Sequence, residues 1–124
     1  MPKTSKALIQ LPTSTRAGIQ KLGADLAVAR LRRKESLQNW SKRLGVSIST
    51  LQRLEAGDPS ISIGIVATAL WLIRQDGALA QIASPANDTA AIEMDVREAV
   101  ELGRARARAS MQAHISAKSK KRLD

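Results

Sequence analysis

Between Ser36 and Gly57 the chain reads SLQNWSKRLGVSISTLQRLEAG, and the groups there that can do chemistry are hydrogen-bonding ones, not a nucleophile beside its base. Ser49, Thr50, Gln52 and Arg53 crowd into little more than one helical turn, and with Leu51 and Leu54 pointing inward they cannot all be buried. A guanidinium fork, a side-chain amide and two hydroxyls on an exposed face suit the recognition of planar polar groups and anions.

Bond-making chemistry finds no comparable arrangement. His114 is the only histidine and has no carboxylate or cysteine partner at metal-ligand spacing, so it reads as a surface residue. Glu93, Asp95, Glu98 and Glu101 are spread by helix spacing around a solvated face. Serines and threonines are plentiful, but a lone distant histidine completes no triad, and no phosphate-binding glycine loop or dinucleotide fingerprint is present. The expectation is a protein that is not an enzyme and holds no cofactor and no metal.

The elements that must position the polar face come from a restricted vocabulary. The 124 residues are 44% hydrophobic, yet Phe and Tyr are absent and Trp40 and Trp71 are the only aromatics, so the core must be built from Leu, Ile, Val and Ala. That composition favours packed helices and a single small domain with tails. The formal charge of +9 fits a polyanionic partner. Residues 1–35 carry eight basic and two acidic side chains, and residues 86–124 eight and six, so the excess flanks the centre. No cysteine, no signal-peptide pattern at the start and no apolar run of membrane-spanning length predict a soluble cytoplasmic chain.

Residues 1–14 read as a flexible arm. From Thr15, Ile19, Leu22, Leu26 and Ala29 recur at steps of three and four and predict a helix to about Arg33. Ser36 caps a second helix that buries Leu37, Trp40 and Leu44, and Gly45 makes the turn. A third helix opens at Ser47 or just after and ends at Gly57. After DPSIS, Ser62 caps a fourth helix expected to bury Ile63, Val66, Ala67, Leu70 and Ile73, with Trp71 as a core filler at its border. A short fifth helix is expected around Gly77 to Ala83, and SPAND, Ser84 to Asp88, is a linker. Within residues 85–115, Thr89 to about Ala113 predicts a long helix with Ile92, Val96, Ala99, Val100, Gly103 and Ala107 on one side. Residues 116–124 form a basic tail too charged to fold alone.

Two short helices joined by a glycine turn, the second with outward small polar residues and an arginine, form the helix-turn-helix pattern. Residues 22–73 resemble the Cro/repressor (XRE) helix-turn-helix family, on Arg30, Leu44, Gly45, Val46, Leu51, Leu54, Glu55 and Gly57, with DPSIS leading into the next helix. The resemblance implies an all-α, lambda-repressor-like helix-turn-helix bundle of about five helices over residues 15–84, with an additional C-terminal helix. It also implies that the third helix reads double-stranded DNA. The implied base contacts are Ile48, Ser49, Gln52 and Arg53: an arginine fork suits guanine, glutamine adenine, and isoleucine a thymine methyl. Phosphate contacts fall to Ser36, Lys42, Arg43, Thr50, Arg32 and Arg33, and Arg30 pairs with Glu55 as a structural ion pair.

The chain departs from the family at two places. Lys34 stands near where family members commonly have glycine, and Leu37 stands where they have a glutamine that often reaches DNA. The tryptophan-containing fourth helix and basic tail resemble the HipB-type antitoxins. That implies a homodimeric autorepressor and, as a second partner, a HipA-like kinase toxin held through the C-terminal helix or tail. The competing expectations are therefore a sequence-specific DNA-binding transcriptional regulator, an antitoxin whose main task is neutralising such a toxin, and a nonspecific architectural binder.

Overall fold

Three serines start the three central helices. In the computed structural model, which describes residues 5–123 with side chains through Lys120, Ser36, Ser47 and Ser62 each accept a hydrogen bond from the backbone N–H three residues on. The N–H groups of Asn39, Thr50 and Ile65, which lack an intrahelical partner, are thereby satisfied, and α3 (Leu37–Leu44), α4 (Ile48–Glu55) and α5 (Ile63–Leu72) follow. They are preceded by a one-turn α1 (Lys6–Ile9) and by α2 (Thr13–Arg32), and followed by 3-10 segments at Asp76–Gln81 and Pro85–Asn87 and by α6 (Thr89–Leu123). The described residues contain no strand: the fold is all-α.

The chain divides into two compact units, residues 1–80 and 81–124. In the first, α4 packs on α2 and α3, and α3 packs on α5. The core is Leu26 of α2, Trp40 and Leu44 of α3, Leu51 and Leu54 of α4, and Ala69, Leu70 and Ile73. Trp40 is 2% exposed and supplies the one large aromatic of that core. Gly45 closes α3 at φ +78°, and its N–H and that of Val46 both reach the Ser41 carbonyl, so the α3–α4 turn is fastened to the helix it leaves.

Two expectations about burial in α5 need correction, and the arm, the tail and the fifth helix are also built differently from expectation. Ile63 is not buried: it is 76% exposed, and Ile65 and Ala69, which were not expected inside, turn inward beside Val66 and Leu70. Trp71 is not a core filler; it is 61% exposed, one residue and so about 100° around the helix from Leu70. Both errors have one source, since IGIVATALWL is apolar on every side and its periodicity names no inner face. Within the arm expected to be flexible, Ser5 caps α1 and Arg16 Nη2 donates to the Leu8 carbonyl at 3.0 Å, while Met1 to Thr4 lie outside the described residues. The tail expected to lack structure is helical through Leu123, with Asp124 outside the described residues. Its Ala, Lys and Arg are strong helix formers, and they extend a helix already nucleated at Asp88, whose Oδ1 accepts from Ala91 N–H. The fifth helix expected around Gly77 to Ala83 is the 3-10 segment Asp76–Gln81.

Candidate nucleic-acid interface

The outer side of α4 is made by what its inner side must do. Leu51, 1% exposed, and Leu54 drive into the core, and the helical period then leaves Ile48, Ser49, Gln52 and Arg53 exposed together. Thr50 is half-buried, and its Oγ1 accepts from the Ser47 hydroxyl at 3.0 Å, which ties it to the start of the helix. The four proposed base-reading residues share one helix, and Thr50 stands at its first turn.

The other end of α4 is held by α2. Arg30 is buried and donates from Nε to Glu55 Oε2 at 2.8 Å and from Nη2 to Oε1 at 3.0 Å, a two-pronged pair with its third contact, Nη1, on the Glu35 carbonyl at 2.9 Å. The hydrogen bonding to Glu55 holds the guanidinium pKa above its ordinary value. Beside this pair the two backbones meet directly at Gly23. A Cβ there would lie 2.5 Å from the Leu54 carbonyl oxygen, 2.8 Å from that of Glu55 and 2.9 Å from the Gly57 nitrogen. Gly57 itself, at φ +80°, faces Gln20 across the same joint. Position and tilt of α4 are thus set by a glycine contact and a buried ion pair, of which sequence reasoning had only the pair.

No family model, curated protein or solved structure matches the chain.

Arg53 has partners that sequence reasoning missed. Its Nε donates to Asp58 Oδ2 at 2.7 Å and its Nη2 to Ser60 Oγ at 2.6 Å, while Ser60 returns its hydroxyl and backbone N–H to Asp58 Oδ1 at 2.7 and 2.8 Å. The Asp58 carboxyl is accordingly lowered from 3.8 to about 2, first by the Ser60 hydroxyl, then by the Ser60 N–H and by Arg53. The signal was in DPS directly after Gly57, where an aspartate bonding the N–H two residues on is an ordinary turn former within reach of a side chain one turn back. The cluster orients the guanidinium and leaves Nη1 and part of Nη2 with hydrogens to give, the side chain being half-exposed.

The residues expected at phosphates divide into two groups. Ser36 is exposed at the start of α3, its Oγ occupied by Asn39 N–H, and Lys42 is exposed on the same helix. Arg43 packs its guanidinium 5.0 Å from the Trp40 ring centroid and approaches Glu35 Oε1 at 3.4 Å, so it stiffens α3 as well as carrying charge. Arg32 and Arg33 are exposed at the end of α2, and Arg33 Nη1 also caps the Ala29 carbonyl. Leu37 is half-buried against the core, so that position packs and does not donate. Among the described residues no group of three His, Cys, Asp or Glu side chains is arranged to hold a metal ion, and no helix is long and apolar enough to cross a membrane.

Proposed function

We propose that this chain is a sequence-specific DNA-binding transcriptional regulator that lays α4 in the major groove. The observation that carries the reading is the pairing of a rigidly mounted α4 with an outer face of hydrogen-bonding side chains. Its core side and carboxyl end are fixed by Leu51, Leu54, Glu55 and the Gly23 joint, and its solvent side presents Ile48, Ser49, Gln52 and Arg53. Arg53 supplies a fork for guanine, Gln52 pairs with adenine, and Ile48 packs on a thymine methyl. Lys42, Arg43, Arg32, Arg33 and the open amides at the start of α3 take phosphates. One such helix reads few base pairs, so the acting species is a dimer on a two-fold site, and repression of its own promoter is the expected role.

The test is binding to DNA from the chain's own promoter against random DNA of equal length across a salt series. The reading expects promoter preference that Arg53→Ala reduces by about 1–3 kcal/mol, and a Lys42→Ala variant that weakens both DNAs alike. Equal binding to both DNAs, steeply salt-dependent and indifferent to Arg53→Ala, leaves only nonspecific charge attraction and overturns it.

A further inference from the structure

The second unit holds a 35-residue helix whose residues from Thr89 to Lys120 are all exposed, large apolar side chains included. A helix of this kind draws little stability from burial within its own chain, and its apolar positions carry a pattern of their own. Ile92, Val96 and Val100 precede the bond between Gly103 and Arg104 by the same numbers of residues by which Ile115, Met111 and Ala107 follow it. The order of these six is symmetric about that bond, and one of the two residues that form it is a glycine with nothing near its Cβ position.

The charge order is antisymmetric about the same point. Four carboxylates, Glu93 to Glu101, fill the first half with Arg97 as the one base among them, and Arg104, Arg106, Arg108, Lys118 and Lys120 fill the second half with no acid. A parallel pair of such helices sets acid on acid and base on base. An antiparallel pair centred between Gly103 and Arg104 sets Ile92 on Ile115, Val96 on Met111 and Val100 on Ala107, and lays the acidic half of each helix along the basic half of the other. Gly103 and Ala107 let the two backbones approach at the crossing.

We propose that α6 pairs with the α6 of a second copy of this chain, antiparallel and centred between Gly103 and Arg104. The inference supplies the contact surface for the dimer named above. It is measured without DNA, so its failure leaves the reading of α4 standing, and failure of that reading leaves the pairing standing.

The full chain contains no cysteine, which makes single introduced cysteines unambiguous reporters. In the proposed register Val100→Cys chains mixed with Ala107→Cys chains cross-link to each other on oxidation, and neither variant cross-links to itself. Seven residues separate the two positions along the helix, about 10 Å, beyond the reach of a disulfide between like positions. Light scattering is expected to give a dimer at tens of micromolar chain. Val100→Glu is expected to abolish that dimer with unchanged thermal unfolding of the first unit. Self cross-linking of Val100→Cys means a parallel pair and overturns the proposal. A monomer, or a dimer indifferent to Val100→Glu, means that α6 covers its apolar side otherwise, and overturns it as well.

Discussion

Arg53 Nε sits 2.7 Å from Asp58 Oδ2, and the Ser60 hydroxyl closes the triangle by accepting from the one and donating to the other. A carboxylate so placed resists protonation. NMR titration of the Asp58 carboxyl is expected to give a value of about 2, and Ser60→Ala, which removes the largest cause, to move it back towards 3.8. Because the folded value lies below the unfolded one, the native chain binds fewer protons between them. The stability from this cluster is complete above about 3.8 and disappears as pH falls through about 2.

Removing one side of the Arg30–Glu55 pair should be far worse than removing both. Glu55→Ala leaves a buried guanidinium without its counter-charge, and the expected loss in urea unfolding is about 3–5 kcal/mol. Arg30→Met combined with Glu55→Leu should lose much less, because two apolar side chains need no counter-charge.

Gly23→Ala adds one methyl where three backbone atoms of the α4 terminus already stand within 3 Å of its position. Backbone yields poorly, so a cost of about 1–3 kcal/mol is expected in denaturant unfolding. The same change at Gly18, where nothing lies near, is expected to stabilise the helix slightly.

Lys34 adopts φ +55° just beyond the end of α2, where its N–H bonds the Leu31 carbonyl and that of Glu35 bonds the Arg30 carbonyl. The left-handed conformation is strained for any residue with a Cβ, so Lys34→Gly should gain about 1 kcal/mol. In a domain of this size that raises Tm by about 4–8 °C in calorimetry.

Much of the frame was legible because it is local. Ser36, Ser47 and Ser62 are caps whose chemistry acts over three residues, and the stripes of α3 and α4 alternate strongly with polar residues. The departure at Lys34 was visible too, and the positive φ is its physical meaning. What escaped was contact across sequence distance or a helix without contrast. Gly23 meets Leu54 only after folding, Arg53 meets Asp58 only once the turn has formed, and α5 offers no polar side by which to orient Ile63 or Trp71. The tail from 116 was judged by charge, whereas its backbone follows the helix that precedes it.

α4 is fastened on its inner side and at its carboxyl end, where Leu51 and Leu54 are buried, Glu55 is paired with Arg30 and Gly57 meets Gln20, while Ile48, Ser49 and Gln52 are exposed. Mutational cost is therefore unevenly shared along eight residues. Three neighbouring positions are free to vary in chemistry while the scaffold keeps its fold, so under the proposed reading the chemistry offered to DNA changes through viable single steps.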